Sequence, residues 1–335
     1  MNHKEKAVRL VLAVMVCVLA AGIMGYLKGP LARIVSYPKA AAMLIYLETG
    51  RVLKPAQPIE TVQDMETTEA WQPTKPADVG ISFDKEDADL VQVSNFCPYT
   101  VDIPALLMTD LRWDLTQAQP KVLILHSHAT ESYTQTAEYS YTPSSAYRTL
   151  DTQCNMVRVG QALQQALEAK GIAVIHDPTL HDHPSYNDAY INSRKTAGAW
   201  LKQHPSISLV IDLHRDASDT SAGQLDTLAV VDGKDAAQLM LVVGSNAGGR
   251  NHPHWEENMA LAAKLHAQLE KRFPGICRPI SFRTERFNQD LSAGALLIEV
   301  GTAGDTLEEA LVAAEALAEG IADLALGTAT AGSTS

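Results

Sequence analysis

Three short apolar runs in this sequence are each followed at once by histidine or acidic side chains. The run Lys121–Leu125 leads into His128 and Glu131. A second run leads into His214, and a third leads into Glu299. Catalytic zinc in proteins takes three ligands of these types and leaves a fourth position for water. The residue types therefore predict a zinc centre assembled from the ends of several elements.

Each of these side chains has a definite role in such a centre. His128 and Glu131, spaced H-x-x-E, are the first two predicted ligands, and His214 is the third. Zinc lowers the pKa of its bound water to about 7 and polarises a carbonyl group. Glu299 is the predicted general base, because a carboxylate outside the ligand set can take and return the proton. The predicted chemistry is hydrolysis at a carbonyl group.

Two assignments stay open from the residues alone. His126 competes with His128 as the first ligand, since both follow the same run. We favour His128, which lies in the H-x-x-E turn beyond the strand, and expect His126 to contact a ligand or the substrate. Arg215 either stabilises an oxyanion or pairs with Asp212 or Asp216.

Other potential metal ligands in the chain are less suitable. His176, His181 and His183 form a second group, but two prolines in the same segment favour an exposed loop. The chain has four cysteines and no CxxC pair, so neither a thiolate zinc site nor a dense disulfide framework is expected.

The apolar pattern places these side chains on an α/β fold with a mainly parallel central sheet flanked by helices. Thr306 and Glu309 form a capping-box pattern at the start of a long final helix. An Asp-Gly pair marks a hairpin between Leu228–Val231 and Gln238–Val243. In parallel sheets, ligands collect at the carboxyl ends of the strands. The other predicted elements are the strands Lys121–Leu125, Ile172–Ile175, Ser208–Leu213 and Ala295–Val300, and helices over Met156–Leu167, Ile191–Gln203 and Trp255–Lys271.

The charge of the chain excludes one class of partner. The formal net charge is -12 over 335 residues. Because an acidic protein repels phosphate backbones, nucleic acid is not an expected partner.

The N-terminal residues predict a membrane anchor. An uncharged apolar run, residues 10–27, follows Lys4, Lys6 and Arg9. Such a run can just span a bilayer as a helix, and the basic residues favour an N-terminus on the cytoplasmic side. A cleaved signal peptide is the alternative, but its apolar core is usually about 7–15 residues long. We therefore expect a cytoplasmic segment 1–9, a transmembrane helix 10–27, a juxtamembrane spacer 28–95, an extracytoplasmic catalytic domain 96–326 and a disordered tail 327–335.

Several longer motifs occur in order along the chain. They are HSHATESY (126–133), YRTLDTQCNMVRVG (147–160), VIHDPTLHDHPSYNDAY (174–190), IDLHRDA (211–217), VVGSNAGG (242–249) and RPISFRTERFNQDLSAGALLIEVGTAGDTLEEA (278–310). Together they resemble the bacterial family stage II sporulation protein P. The resemblance covers roughly residues 95–325 together with the N-terminal anchor.

The resemblance implies more than the residues do by themselves. It implies a zinc-dependent N-acetylmuramoyl-L-alanine amidase that also cuts peptide cross-links in peptidoglycan, at the membrane that engulfs the developing spore. It further implies two partners: stage II sporulation protein D, a lytic transglycosylase, and stage II sporulation protein M, a polytopic membrane protein. The histidine and glutamate pattern is also similar to that of zinc carboxypeptidases. Two alternatives therefore stay open: another zinc amide hydrolase, and an inactive wall-binding scaffold of the engulfment complex.

The resemblance also raises a second candidate for the carboxylate ligand. In cell-wall amidases this ligand begins the helix after the first strand, and the matching place here is near Asp151. We favour Glu131 because its spacing to His128 is short.

The segment Arg283–Asp290 precedes the run that carries Glu299. We expect Arg286, Asn288 and Gln289 to hold carboxylates and amides of the stem peptide, since arginine matches a carboxylate in a bidentate way. A solvated loop is the simpler alternative for this segment.

Overall fold

The computed structural model describes residues 83–111, 115, 118–217, 219–220 and 223–326. The predicted cytoplasmic segment, transmembrane helix, most of the spacer and the tail lie outside the described residues. Within the described part of the chain, no helix is long and apolar enough to cross a membrane.

Strands and helices alternate along most of the described chain. The strands are β1 (Val93–Asn95), β2 (Val122–Leu125), β3 (Val174–His176), β4 (Leu209–Asp216), β5 (Asp219–Thr220), β6 (Gly223–Gln224), β7 (Leu228–Val231), β8 (Lys234–Ala237), β9 (Leu239–Val243), β10 (Ile280–Phe282) and β11 (Ala295–Thr302). The helices are α1 (Ile103–Leu107), α2 (Met156–Ala169), α3 (Ala189–Gln203), α4 (Trp255–Arg272) and α5 (Leu307–Leu326), with 3-10 turns at Glu86–Leu90, Tyr186–Asp188 and Gln289–Leu291.

The central sheet has the strand order β1-β10-β9-β11-β4-β2-β3. Neighbouring strands are parallel except β9 and β11, which run antiparallel. The prediction of a mainly parallel sheet within an α/β fold is confirmed. The carboxyl ends of β2, β4 and β11 lie at one edge of the sheet, whereas β9 and β10 end at the opposite edge.

Alternating side chains on the strands build two apolar layers, because successive residues of a strand point to opposite faces. On one face, Ile124 and Ile211 pack in a large core that includes residues of α2, α4 and α5. On the other face, Leu125 and Val210 pack with Ala197 of α3. Side chains at the end of a strand therefore point either toward α2 or toward α3.

Local signals in the sequence fix the ends of the flanking helices. The Asn155 side chain accepts from the backbone nitrogen of Val157 and caps α2, and Gly171, with φ +81°, follows its end. At the start of α5, Thr306 N–H donates to Glu309, and Glu309 N–H donates to the Thr306 hydroxyl. The predicted capping box is confirmed.

The structure changes the boundaries of two predicted elements. The predicted second hairpin strand, Gln238–Val243, is wrong: β7 pairs with β8, and β9 belongs to the central sheet. The Asp-Gly turn leaves room for only two residues between paired strands, so the partner begins at Lys234. At the other end of the chain, residues assigned to the spacer form β1, whose Val93 pairs with Ile280.

Candidate active site

Two side chains predicted from separate runs lie next to each other at one edge of the sheet. In the register of β4 and β11, His214 pairs with Glu299. His214 points toward α3, as do Val210 and Asp212 of the same strand, β4. Glu299 lies on the same face of the sheet, on β11. The parallel sheet therefore brings these two residues together, as the sequence predicts.

Glu131 reaches the same place from the turn after β2. Its Oε2 lies 3.4 Å from Nδ1 of His214. The same oxygen accepts from the backbone nitrogen of Arg215, while Oε1 accepts from Arg148. Burial alone would raise the pKa of Glu131, but the hydrogen bond and charge of His214 lower it to about 2.

His214 is held between two carboxylates. Its Nε2 lies 2.9 Å from Oδ1 of Asp212, opposite the side that faces Glu131. Burial opposes a charge on this ring, yet Asp212 and Glu131 raise the pKa of His214 well above its ordinary value. The pocket around His214 is therefore one that favours positive charge.

His128 lies beside this pair and faces an aromatic wall. Its ring centroid is 5.4 Å from that of His214 and 4.4 Å from that of Tyr186, on which it stacks. Tyr190 approaches it edge-on at 5.5 Å. His128 Nδ1 lies 3.9 Å from Oδ2 of Asp182 and has no hydrogen-bond partner among the described residues. Burial lowers the pKa of His128 to about 4, with the charge of His214 adding to the effect.

Glu299 lies partly buried beside these residues, without a complete set of hydrogen-bond partners. Its Oε2 finds no hydrogen-bond partner in the described part of the chain. Burial raises the pKa of Glu299 to about 8, and the charges of Glu131 and Asp216 act in the same direction against His214. A carboxyl group with one buried oxygen that lacks a hydrogen bond, beside charged neighbours, is suited to proton transfer.

Arg215 lies at the site but directs its side chain elsewhere. Its Nε donates to the carbonyl of Ser132 at 2.9 Å, and Nη2 donates to the carbonyl of Tyr147 at 2.8 Å. Through its backbone nitrogen it also contacts Glu131. These contacts favour a role in positioning the Glu131 turn over the oxyanion role predicted from sequence.

The two competing ligand candidates point away from the cluster. His126 continues the β2 alternation toward α2, where Nε2 lies 2.9 Å from Nε2 of His176 and Nδ1 lies 2.9 Å from the Leu213 carbonyl. A Cβ on Gly160 of α2 would lie 2.6 Å from this His126 ring, so the helix approaches it closely. Asp151 is exposed, and its carboxylate accepts from the backbone nitrogen of Gln153 in the turn before α2.

The three predicted substrate residues do not form one surface. The segment that holds them runs between β10 and β11, and it starts from the far edge of the sheet because β10 is antiparallel to β11. Gln289 is buried, accepting from Gly244 N and donating to the Val242 carbonyl. Arg286 contacts Asp290 and the carbonyl of Asn251. Asn288 contacts α3, through the Tyr190 carbonyl and Ser193.

Several residues of the site were not predicted from the sequence. Asp182 accepts from Thr130 and Arg148 and faces His128, although its segment was predicted to be an exposed loop. That prediction is wrong for Asp182 and for His181, which are both buried. Asp212 carried a usable signal, because it lies two residues before His214 on one strand and must share its face. The contacts of Asp182 join residues that are far apart in the sequence, so no spacing in the sequence predicted them.

The donor set fits a zinc ion in chemistry and in part in geometry. Two ligand atoms about 2.1 Å from a tetrahedral zinc lie about 3.4 Å apart. The His214 and Glu131 atoms lie 3.4 Å apart. Asp212 contacts the far nitrogen of His214, as carboxylates commonly do behind zinc-bound histidine. His128 is the least closely placed of the three.

A second group of carboxylates is more compact. Asp226, Asp305 and Glu309, here called the acidic cluster, have ligand atoms within 4.8 Å of one another. We call His128, Glu131, His214 and Glu299 the histidine site. Asp305 accepts from Thr227 N, Thr227 Oγ1 and Thr302 N, so its oxygens already have structural partners.

Comparison with known proteins points to one family. The family model described as stage II sporulation protein P matches residues 40–322. A curated stage II sporulation protein P from Bacillus subtilis (strain 168) is 32% identical over 209 residues, which cover 59% of this chain and 49% of that protein. This chain therefore spans about half the length of that relative.

Three of the solved structures that are similar to this chain are named as amidases. N-acetylmuramoyl-L-alanine amidase AmiC2 of Nostoc punctiforme is 14% identical with a TM-score of 0.35, covering 60% of this chain and 94% of that one. The N-acetylmuramyl-L-alanine amidase Ami1 from Mycobacterium smegmatis is 12% identical with a TM-score of 0.37, covering 63% and 99%. The N-acetylmuramoyl-L-alanine amidase from Clostridium difficile 630 is 16% identical with a TM-score of 0.35, covering 63% and 97%.

Proposed function

The chain belongs to the stage II sporulation protein P family, and we propose that it is a zinc-dependent peptidoglycan hydrolase of sporulation. The proposed reactions are those of an N-acetylmuramoyl-L-alanine amidase and of a peptidoglycan endopeptidase. One observation carries the proposal: the buried side chains of Glu131 and His214 converge with Glu299 at the carboxyl ends of two strands and the turn after a third.

The histidine site supplies the groups that amide hydrolysis needs. We propose that His128, Glu131 and His214 hold the zinc ion, which when bound supplies an activated water and polarises the scissile carbonyl. Glu299 takes a proton from the attacking water and returns it to the leaving nitrogen. Its buried Oε2, which has no hydrogen-bond partner among the described residues, suits this role.

The remaining side chains position these groups. Asp212 fixes His214 from behind, and Asp182, held by Arg148, faces Nδ1 of His128. Tyr186 and Tyr190 cover the two imidazole rings and limit access of bulk water. Arg215 holds the Glu131 turn through the Ser132 carbonyl. We propose that Arg286 and Asn288 contact the stem peptide at the border of the site.

The cellular setting is part of the same proposal and is supported by the family. The substrate is peptidoglycan, and the site of action is the membrane that engulfs the forespore. We propose a single-pass anchor at residues 10–27, with the catalytic domain outside the cytoplasm, and stage II sporulation proteins D and M as partners.

Digestion of purified sacculi by the full chain tests the proposal. Zinc-loaded protein should release stem peptides cut from muramic acid, together with cleaved cross-links, identified by mass spectrometry. Chelator should abolish both products, and added zinc should restore them. Release of single C-terminal amino acids instead would favour a carboxypeptidase. Tight wall binding with no product at any zinc level would favour the scaffold alternative and overturn the proposal.

A further inference from the structure

A continuous chain of hydrogen bonds joins the loop before β11 to His214. Asn288 Nδ2 lies 3.2 Å from Ser193 Oγ on α3. Ser193 Oγ lies 2.7 Å from Ser127 Oγ, and Ser127 Oγ lies 2.5 Å from Oδ2 of Asp212. The other oxygen of Asp212 lies 2.9 Å from Nε2 of His214. The loop, α3 and the turn after β2 are therefore linked, through Asp212 of β4, to one imidazole nitrogen.

The chemistry of the two ends fixes the direction of this chain. An amide nitrogen, as in Asn288, can only donate, and an ionised carboxylate, as in Asp212, can only accept. Each hydroxyl between them therefore accepts from the loop side and donates toward Asp212. Asp212 also accepts from the backbone nitrogen of Ser127 at 2.7 Å. The remaining acceptor position on Oδ1 takes the Nε2–H of His214.

A second acceptor near Ser193 does not break this direction. The carbonyl of Tyr190 lies 3.3 Å from Ser193 Oγ. That carbonyl already accepts from Asn288 Nδ2 at 2.8 Å, which is the shorter contact. The distance from Ser193 to Ser127 is shorter still, at 2.7 Å. The Ser193 hydroxyl therefore donates to Ser127.

Burial makes the links through Ser127 and Ser193 costly to break. Ser127 and Ser193 are 0% and 1% exposed, so water does not readily replace a lost partner. Asn288 has φ 61°, a backbone conformation that few residues other than glycine adopt. Its side-chain contacts to α3 help to hold the loop in that conformation. Loop, helix and strand are thus coupled through polar groups that are largely removed from water.

We propose that Ser193 and Asn288 are positioning residues that fix His214 with Nε2–H on Asp212 and Nδ1 turned toward the metal position. This inference rests on the proposed function, because it assigns Nδ1 of His214 to zinc. Ser193 and Asn288 make no direct hydrogen bond to the histidine site. Both act through Ser127 and Asp212, so the loop before β11 influences how tightly His214 binds the ion.

Zinc affinity of full-length variants is the first test. Ser193→Ala removes the middle link without changing charge. Asn288→Gly removes the first donor and retains a residue that tolerates φ 61°. Each should weaken zinc binding about fivefold, as expected for one buried neutral hydrogen bond, in competition with a coloured chelator. Ser208→Ala is the matched control, since the Ser208 hydroxyl is equally buried and lacks a hydrogen-bond partner among the described residues.

The second readout follows the His214 ring itself. Protein labelled with ¹⁵N-histidine should show a downfield, slowly exchanging Nε2–H resonance for His214, assigned by its absence in His214→Gln. Ser193→Ala and Asn288→Gly should move this resonance upfield and speed its exchange, with or without zinc. Ser208→Ala should leave it unchanged. A simple loss of packing would lower the melting temperature without affecting this proton.

The outcomes separate this inference from the proposed function. If Ser193→Ala and Asn288→Gly both keep the wild-type affinity for zinc and an unchanged Nε2–H signal, the inference is overturned and the hydrolase proposal stands. Absence of zinc binding in the wild type would overturn the zinc mechanism. The Nε2–H signal of the metal-free protein would then still decide whether the chain of hydrogen bonds orients His214.

Discussion

The histidine site and the acidic cluster are both groups of possible metal ligands, and they differ in what their side chains already do. In the acidic cluster the atoms are closer together, within 4.8 Å. Yet Asp305 caps Thr227 and Thr302, and Glu309 completes a capping box. In the histidine site, Glu299 Oε2 and His128 Nδ1 are buried and lack hydrogen-bond partners in the described part of the chain. Proximity alone is thus a poor guide to a metal site, because the carboxylates that lie closest together already accept structural hydrogen bonds.

The largest expected difference between the two groups is in zinc content. His214→Ala removes a proposed ligand and should abolish both zinc binding and hydrolysis, because two remaining ligands hold zinc weakly. Asp305→Asn should retain one zinc per chain and full activity while lowering the melting temperature. Elemental analysis of both full-length variants measures this. Zinc lost from Asp305→Asn and kept in His214→Ala would reverse the comparison.

Glu299→Gln sharpens the distinction between a ligand and a base. Glutamine keeps the size of the side chain but cannot accept a proton, so turnover should fall by about 10²–10⁴. Zinc content and the melting temperature should be unchanged. Glu308→Gln is the control, since Glu308 Oε2 is also buried and lacks a partner among the described residues, but it lies on α5. Loss of zinc from Glu299→Gln would make Glu299 a ligand, and full activity would remove it from the chemistry.

A smaller effect is expected at His126 and Asp151, the residues that compete with His128 and Glu131 for the ligand roles. His128→Ala and Glu131→Ala should each lose zinc. His126→Ala should keep zinc and lose about 10–100-fold in affinity or turnover, because its Nδ1 contacts the Leu213 carbonyl next to His214. Asp151→Ala should match the wild type, since its carboxylate lies in an exposed turn. Zinc loss from His126→Ala with zinc retained in His128→Ala would exchange their roles.

The sequence predicted the part of the site that depends on strands. Residues at the ends of β4 and β11 meet because parallel strands share an edge, and that follows from the apolar pattern alone. The direction of β9 and β10 could not be read in this way, since two short apolar runs look the same in either direction. The predicted substrate segment therefore starts from the other edge. Asp182 lies in a loop, where no periodic pattern of the sequence could predict that it faces His128.

Two residues of the loop before β11 are expected to have different roles, Gln289 in stability and Arg286 in substrate binding. Gln289→Ala would leave Gly244 N and the Val242 carbonyl without side-chain partners, so stability should fall by about 1–3 kcal/mol, seen as a lower urea midpoint. Its KM should not change. Arg286→Ala should raise KM several-fold with zinc retained, because Asp290 keeps its bidentate pairing with Arg194. Unchanged kinetics in Arg286→Ala would remove this segment from the substrate contacts.

The smallest expected effect is a pH dependence of stability in the acidic cluster. A hydrogen bond to Asp305, followed by burial, raises the pKa of Asp226 to about 6 from its ordinary value of 3.8. The folded protein therefore holds this proton more tightly than the unfolded chain does. Stability should fall as the pH rises from about 4 to 6 and then level off.

Asp226→Asn retains a group that can donate to Asp305 and cannot ionise, so it should remove this slope. Its urea midpoint should equal that of the wild type near pH 4 and exceed it near pH 7, by a small amount because the side chain is exposed. A midpoint difference that stays constant between pH 4 and 7 would show that the two carboxyl groups do not share a proton. A large rise in wild-type stability with millimolar Ca²⁺ at pH 7, absent in Asp226→Asn, would instead make the acidic cluster a cation site. The structural role that we assign to it would then fail.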